Sequence, residues 1–322
     1  MAFLPALLIF AAVSVLVVAH AAAYRPLSPF DEGVHFDYVI KASRGEIVNR
    51  GEKLGQEAMR EIACRGMDLK GLLLPPCDAP RFEPEAFPGE GFSSAEIHPP
   101  VYYGITGLLA RGLVDARIAP DMFAAARLAG ILWLGLGLLI IWYTGKEFGV
   151  ATAPLAVVVA AVAATPTLLH ASATVTNDIT GVVAGGLLVW VTLRWERGSS
   201  PLWLLGVVAF LALALKTTNG LAVGLCALYL LLRGRPPDES IRARRSNRAG
   251  IAMLLGSAAL SLVAWVVIHA LVATPVDIPT DDPSGGLRLF DVLANLTTLI
   301  TPVNYGLPTS ILGGTHFDVV GG

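Results

Sequence analysis

The stretch that decides the fold is SPFDEGVHFDY, residues 28–38, because it places three ionisable side chains shortly after a long apolar segment. That segment, residues 1–23, reads MAFLPALLIFAAVSVLVVAHAAA and exceeds the roughly 20 residues that a helix needs to cross a bilayer. Its AHAAA end resembles a signal-peptide cleavage site, but no Lys or Arg precedes the apolar run. We therefore expect an uncleaved first transmembrane helix, followed at the membrane surface by Asp31, Glu32 and His35.

The rest of the sequence predicts further membrane crossings. Hydrophobic residues make up 54% of the chain and charged residues only 15%, whereas soluble domains carry about 25% charged residues. The mean hydropathy is +0.65, and the net charge of −2 gives no indication of nucleic-acid binding. Clear apolar segments follow near residues 122–145, 151–168, 178–195, 202–216, 219–232 and 249–273. We predict an all-α polytopic membrane protein with about seven transmembrane helices.

The polar residues concentrate in a long loop, residues 24–121, and in a C-terminal tail, residues 274–322. The loop carries 13 acidic and 9 basic side chains between residues 24 and 98, and loops of this length are usually functional. Its last part, residues 101–119, is only weakly apolar and contains three charged residues, which favours an amphipathic helix in the membrane interface over a crossing. The alternative is that this segment crosses and that one of the two short segments beside Lys216 does not.

A basic loop within the predicted bundle, residues 122–273, sets the expected orientation. Residues 233–248, RGRPPDESIRARRSNR, hold six arginines and two acids, and the positive-inside rule places such a loop in the cytoplasm. Counting the crossings backwards from it puts the long loop and the tail outside. The same count brings six polar residues to the extracytoplasmic face at interfacial depth: Asp31, Glu32, His35, His98, Asp178 and Lys216.

The three cysteines fall into two groups. Cys64 and Cys77 lie in the long loop, where such a pair predicts a disulfide in an oxidising compartment. Closing this loop would stabilise it by about 3 kcal/mol. Two free thiols are the alternative, while a zinc site would need two further nearby ligands that the sequence does not supply. Cys226 lies inside an apolar segment and is most simply a small packing residue.

Four short motifs follow one another along the chain: Asp31-Glu32 after the first helix, HPPVYY at 98–103, Asn177-Asp178 after a proline-containing turn, and LALALKTTNG at 211–220. Each motif alone is weak, but together they extend in order from residue 31 to residue 220. They resemble the N-terminal module of the GT-C superfamily, the multi-spanning glycosyltransferases that use polyprenyl-phosphate-linked sugars. Protein O-mannosyltransferases, lipid A aminoarabinose transferases and actinobacterial arabinofuranosyltransferases belong to it. Members usually have more helices, so the chain is either a short relative or a truncated one.

The resemblance implies a GT-C-like fold and inverting transfer of a sugar from a polyprenyl phosphate to a cell-envelope glycan, lipid or protein. Such a reaction needs a base for the proton of the acceptor hydroxyl, and a carboxylate in a half-dry interface suits this role. We expect Asp31 to be that base and Glu32 to orient the acceptor or bind a metal. The leaving phosphate needs positive charge or hydrogen-bond donors. We expect these from Lys216 and His98, with Asp178 holding Lys216 or an acceptor hydroxyl.

The same residues also have structural interpretations. Asp31 and Glu32, or Asp178, could cap a helix or complement its dipole. Lys216 could merely extend to the interface, and His98 could be a structural loop residue.

Three further candidates stay open. Tyr102 is either a substrate contact or an anchor in the aromatic belt, and Arg127 is either a phosphate ligand or a helix anchor. Asp31, Glu32 and His35 are spaced to bind a divalent ion such as Mg or Mn, and the sequence indicates no other cofactor. Three further histidines, His170, His269 and His316, show no pattern of partners.

Functions of two other classes compete with glycosyl transfer. A transporter or flippase for a lipid-linked substrate would have charged or glycine-broken helices at the bilayer midplane and internal repeats, whereas the polar residues here gather at one surface. A non-catalytic subunit of envelope assembly would use the long loop as a docking surface. The leading hypothesis places the chain in the cell membrane, with its site on the extracytoplasmic face. Its partners are then a polyprenyl-phosphate sugar, an envelope acceptor and membrane lipids.

Overall fold

The structure, a computed structural model, describes residues 3–29, 31–67, 71–233 and 241–272. All regular elements within these ranges are helical, which confirms the predicted all-α class for them. The tail of residues 274–322, which includes His316, and residues 234–240 of the basic loop lie outside the described residues. The α-helices are α1 (Phe3–Ala23), α2 (Glu32–Ser43), α3 (Gln56–Arg65), α4 (Val101–Asp115), α5 (Met122–Glu147), α6 (Thr152–Ala163), α7 (Pro166–Ala173), α8 (Thr180–Glu196), α9 (Leu202–Leu215), α10 (Gly220–Leu232) and α11 (Ile241–Val272).

Four helical segments are long and apolar enough to cross a membrane. Large apolar side chains project outwards from them; Leu7 and Val15 of α1 are 68% and 69% exposed, and Leu271 of α11 is 82% exposed. Soluble monomers rarely expose contiguous apolar surface on this scale, so a lipid environment suits these faces. The segments, on α1, α5, α8 and α11, are Leu4–Ala23, Met122–Glu147, Asn177–Glu196 and Asn247–Val272.

Three more apolar segments are broken or short. The apolar segment predicted near residues 151–168 covers α6 and only the start of α7. The two helices are bent by 60° at a break of a few residues and pass together as a broken span or a re-entrant loop. Pro166 begins α7, where its missing N–H would be unpaired in any case and its fixed φ suits a first helical turn. α9 and α10 have only 14 and 13 residues and meet at a short 3-10 turn, Thr217–Asn219.

The long polar loop folds into a layer of short helices over one end of the bundle. Aromatic rings join its parts: Tyr38 of α2 stacks on Tyr103 of α4 with ring centroids 4.1 Å apart. Phe36 meets Phe123 of α5 edge-on at 5.0 Å. α4 ends at Asp115, earlier than the predicted boundary at residue 119, because the chain turns there and Arg117 has a positive φ of 57°.

A disulfide closes part of this layer. Cys64 and Cys77 are bonded with their Cα atoms 4.5 Å apart, in the pairing expected from the sequence. The bond ties the last turn of α3 to the proline-rich segment that follows. Cys226 is a free thiol buried in the bundle.

Glycines allow neighbouring helices to approach closely, as is common where helices pack in membranes. A Cβ on Gly107 of α4 would lie 2.5 Å from the carbonyl oxygen of Val39 in α2. A Cβ on Gly130 of α5 would collide with the carbonyl of Ser172 in α7. These contacts fix α2 and α7 against their neighbours, and both helices hold residues of the site described below.

The two ends of the bundle differ in charge. The end where α5 and α8 finish carries Arg194, which pairs with Glu147 at 3.0 Å, and Arg233, which pairs with Glu196. Arg197 lies over the Phe148 ring at the same end, and the basic loop follows Arg233 in the sequence. At the opposite end α1 and α9 finish and α5 and α8 begin. This end carries the acidic residues and histidines that the sequence predicts at the extracytoplasmic face.

Candidate active site

Five of the six surface residues singled out from the sequence meet at that opposite end. Asp31 lies between α1 and α2, and His35 lies in the first turns of α2. His98 precedes α4, Asp178 lies in the 3-10 turn that begins the α8 segment, and Lys216 ends α9. Four separate parts of the fold therefore contribute, with Asp31 and His35 both coming from the start of α2.

Asp31 has an unusual backbone. Its φ of 58° and ψ of 14° are left-handed, which costs an L-residue roughly 1–2 kcal/mol. It occupies the N-cap position of α2, yet its side chain makes no capping hydrogen bond. The capping interpretation is therefore wrong for Asp31, and its exposed carboxylate stays available. Residues held in such conformations cluster at functional sites.

The electrostatic surroundings of Asp31 favour its protonated form. Partial burial, and then the nearby carboxylate of Asp178, raise the pKa of Asp31 above its ordinary value. A carboxylate with a raised pKa takes up a proton more readily when a reaction releases one.

Asp178 and Lys216 form an ion pair across the mouth of the site. The ammonium of Lys216 is nearly covered, with 12% of its side chain exposed, whereas 63% of the Asp178 side chain is exposed. Thr176 also donates its hydroxyl to Asp178 at 3.1 Å. The predicted pairing of Asp178 with Lys216 is thus present, and the Asp178 carboxylate of this pair lies near Asp31.

Two histidines line the same region as neutral rings. Their centroids are 5.5 Å apart, and Nδ1 of His35 is 2.7 Å from the hydroxyl oxygen of Tyr103. Burial, then His98 and Lys216, lower the pKa of His35 to about 3; burial, then Lys216, lower the pKa of His98 to about 4. Nδ1 of His98 is buried without a hydrogen-bond partner among the described residues. At neutral pH both rings can donate or accept hydrogen bonds but carry no charge.

Glu32 does not occupy the position that the sequence predicts. It is fully buried and accepts two hydrogen bonds of 2.8 Å from the guanidinium of Arg127. It also accepts from the backbone N–H groups of Ser28 at 2.7 Å and Val175 at 2.9 Å. The predicted role in orienting an acceptor or binding a metal is therefore wrong for Glu32, because both of its oxygens are already fully engaged.

Arg127 is likewise a structural residue. Besides Glu32, its guanidinium donates to the carbonyl oxygens of Tyr24 at 2.7 Å and Pro26 at 2.8 Å. The side chain is 5% exposed. The anchoring interpretation of Arg127 fits these contacts, and the phosphate-ligand interpretation does not.

Tyr102 and the proposed metal triad also differ from expectation. Tyr102 is 2% exposed and packs between Tyr103 and Trp133, so it is a core residue rather than a substrate contact or a belt anchor. Asp31, Glu32 and His35 do not converge on one point, since Glu32 faces Arg127 and His35 faces Tyr103. Within the described ranges, no group of three or more His, Cys, Asp or Glu side chains is arranged to hold a metal ion.

The structure adds a hydrogen-bonded chain that the sequence reasoning missed. Nε2 of His20, near the end of α1, lies 3.2 Å from Nδ1 of His170 in α7. Nε2 of His170 lies 3.1 Å from Oγ of Ser28, whose backbone N–H binds Glu32. Both histidines lie at the helix ends that face the site, which is the one signal in the sequence that could have grouped them. The chain braces the polypeptide just before Asp31.

The arrangement can serve a polar reaction at the edge of an apolar bundle. Asp31 can accept a proton, Lys216 carries a positive charge paired with Asp178, and His98 can donate or accept a hydrogen bond as a neutral ring. No protein-family model matches the chain, and no curated protein or solved structure shows significant similarity to it. The function therefore has to be argued from this site.

Proposed function

We propose that the protein is a GT-C-type membrane glycosyltransferase that moves a sugar from a polyprenyl phosphate to a cell-envelope acceptor. The observation that carries the proposal is the conformation of Asp31. Its left-handed backbone presents an uncapped carboxylate beside the Asp178–Lys216 ion pair, at the end of an apolar bundle. A lipid-borne substrate presents its reactive headgroup at this level of a membrane.

The residues divide the chemistry between them. Asp31 takes the proton of the acceptor hydroxyl as the hydroxyl oxygen attacks the anomeric carbon from the face opposite the phosphate. The bond between that carbon and the phosphate oxygen breaks, and its electron pair leaves with the phosphate, so the configuration inverts. Lys216 and the neutral ring of His98 stabilise the departing phosphate by charge and hydrogen bonding. Asp178 positions Lys216 and strengthens Asp31 as a base through its own negative charge.

Glu32 enters the proposal as a positioning residue. Its bonds to Arg127, Ser28 and Val175 join the segment before Asp31 to α5 and to the turn before α8. These contacts hold the left-handed turn at Asp31 in place. Asp31, Glu32 and His35 do not converge to hold Mg or Mn, and no other such group lies within the described residues, so the proposal assigns no step to a metal.

The topology that accompanies this function has seven crossings. We count α1, α5, the bent pair α6–α7, α8, α9, α10 and α11, with the helices of the polar loop lying in the interface. The arginine-rich end of the bundle then faces the cytoplasm, and the site faces outwards. Cysteine labelling of Asp115→Cys and Ser199→Cys in intact cells tests this orientation, because only the first should react with an impermeant reagent.

The decisive experiment measures transfer from a panel of radiolabelled polyprenyl-phosphate sugars in membranes. We expect Asp31→Asn to lower the transfer rate by about 10²–10⁴-fold while the amount of inserted protein stays unchanged. Asp115→Asn is the matched control, because Asp115 is an exposed acid of the same polar layer at the end of α4. Addition of EDTA tests the metal.

Three results would remove the proposal. Normal turnover by Asp31→Asn would eliminate Asp31 as the base. Absence of transfer by well-folded wild-type protein with every donor, together with movement of labelled lipid across the bilayer, would favour the transporter class. Function in envelope assembly that survives neutralising Asp31 would favour the non-catalytic subunit.

A further inference from the structure

A second polar site lies beside the end of α1, away from the candidate active site. It is a cavity of about 490 Å³, and we call it the arginine pocket. None of Asp31, His35, His98, Asp178 and Lys216 is among the residues that line it. The lining residues are Ala21, Ala22, Arg25, Cys64, Arg65 and Arg127.

The arginine pocket holds one cation without a counter-charge among the described residues. Arg127 is neutralised by Glu32, and Arg65 pairs with Glu61 at 2.5 Å and with Asp121 at 3.2 Å. For Arg25, which is exposed, no ion pair is formed within the described ranges. Three carboxylates, Glu32, Glu61 and Asp121, thus face Arg127 and Arg65, and Arg25 supplies the guanidinium that has no ion pair, a group whose geometry suits phosphate oxygens.

An apolar groove of about 700 Å³ runs between α1, α4 and α5. Leu108 and Ile118 on its rim are each 65% exposed. An apolar groove of this size gives water no hydrogen-bond partners, and within a bilayer it would be filled by a hydrocarbon chain. The lining residues are Phe10, Val18, Leu108, Leu109, Gly112, Leu113, Ile118, Leu128, Ala129, Ile131 and Leu132.

The groove and the arginine pocket adjoin end to end. On α1, Val18 of the groove lies one turn before Ala21 and Ala22 of the pocket, on the same face of the helix. On α5, Arg127 of the pocket directly precedes Leu128 of the groove. The pocket thus caps the groove where the candidate span Leu4–Ala23 ends.

The dimensions match one leaflet of a membrane. From Phe10 to Ala22 the helix rises about 18 Å at 1.5 Å per residue. Half of the hydrocarbon core of a bilayer is about 15 Å thick. An acyl chain lying along this face can therefore fill the whole length of the groove while the phosphate of the same lipid lies at the level of Arg25.

We propose that the groove and the arginine pocket together bind one anionic phospholipid of the surrounding bilayer, with its phosphate at Arg25 and an acyl chain between α1, α4 and α5. The occupant is a membrane phospholipid rather than a substrate, because the buried Glu32–Arg127 pair separates the pocket from Asp31. The proposal stands independently of the glycosyltransferase function.

Lipid retention measured by native mass spectrometry tests it. The full chain is reconstituted into vesicles of phosphatidylcholine and phosphatidylglycerol at about 4:1, extracted again in mild detergent, and the bound lipid is counted. We expect wild-type protein to retain one phosphatidylglycerol in preference to phosphatidylcholine. Arg25→Gln should lower this retention about fivefold, the effect of one cation near an anionic surface.

Two pairs of variants separate the specific site from general effects. Arg60→Gln removes an exposed arginine from α3 outside the pocket and should leave retention unchanged. Gly112→Phe fills the groove and should abolish retention, since nothing lies within 4 Å of a Cβ at that position. Gly104→Phe adds the same side chain to α4 at another open position outside the groove and should have no effect.

Three outcomes would overturn the proposal. Equal losses from Arg25→Gln and Arg60→Gln would show only a surface-charge effect. Full competition by inorganic phosphate, with Gly112→Phe still retaining lipid, would identify an anion pocket without a lipid tail. Displacement of phosphatidylglycerol by equimolar polyprenyl phosphate would show that the groove holds that lipid instead.

Discussion

Replacing Glu32 by Gln distinguishes a carboxylate that stabilises the fold from one that acts on the substrate. The two residues have nearly the same shape, so the variant removes the charge without leaving a cavity. Glu32 accepts four hydrogen bonds, two from Arg127 and two from backbone N–H groups. A Gln amide keeps only one oxygen, and its NH₂ group would face donors. The guanidinium of Arg127 would stay buried without a counter-charge.

The expected magnitude follows from these contacts. Removing one partner of a buried ion pair costs about 3–5 kcal/mol, because the remaining charge is not solvated. By contrast, Arg44 and Glu57 form a pair whose side chains are 45% and 59% exposed, and exposed pairs contribute about 0–1 kcal/mol. Glu57→Gln is therefore the matched control, with the same chemical change at an exposed site.

Thermal unfolding of detergent-purified protein, followed by the fluorescence of its six tryptophans, measures the effect. Glu32→Gln should lower the Tm strongly and Glu57→Gln should hardly change it. The double variant Glu32→Gln with Arg127→Gln should lose less stability than the sum of the two single variants, since no unpaired charge remains. Coupling energies for contacting residues are about 0.5–3 kcal/mol.

One result would refute this reasoning. If Glu32→Gln kept the Tm of Glu57→Gln and yet lost sugar transfer, Glu32 would act on the substrate and the structural role inferred for its salt bridge would be wrong. An additive double variant would likewise show that the charges of Glu32 and Arg127 do not depend on each other.

Three further predictions concern packing, covalent structure and pH. Gly107→Ala should destabilise the protein, because its Cβ would lie 2.5 Å from a carbonyl oxygen of α2, whereas Gly104→Ala on the same helix meets nothing within 4 Å and should be neutral by the same Tm measurement. Reduction of the Cys64–Cys77 bond should lower stability by about 3 kcal/mol, and Cys64→Ser should abolish this sensitivity to reductant. Burial lowers the pKa of His35 to about 3, so the unfolded chain takes up a proton below pH 6.5 while the folded protein does not; the Tm should fall as the pH is lowered from 7 to 5, and His35→Gln should reduce that fall.

The helical class was predictable because long hydrophobic runs indicate segments suited to a lipid environment. In lipid every backbone polar group must be paired within its own segment, so long apolar runs such as residues 122–145 can hardly be anything but helices. The break between α6 and α7 was harder to see. Pro166 marks it, but a proline inside an apolar run is compatible with a continuous kinked helix as well as with a 60° bend.

The residues of the candidate site were predictable only insofar as the order and direction of the apolar segments bring them to one end of the bundle. Asp31, His98, Asp178 and Lys216 share one end of the bundle because each lies where an apolar segment begins or ends on the same side. Topology does not say which way a side chain turns. Adjacent residues such as Asp31 and Glu32 project in different directions from the chain, and one faces the site while the other enters the core.

The sequence by itself therefore determined the helical class of this protein, the apolar segments that suit a lipid environment, and the end of the bundle at which its ionisable residues gather. These features follow from the free energy of transferring side chains between lipid and water, and this free energy depends only on the composition of each segment. Only the tertiary structure decided the partners: that Arg127 neutralises Glu32, that Asp178 neutralises Lys216, and that Asp31 is left uncapped in a left-handed turn. Which charged side chains pair depends on the distance between residues that are remote in the sequence. The role of each charge therefore follows only from its neighbours in the tertiary structure.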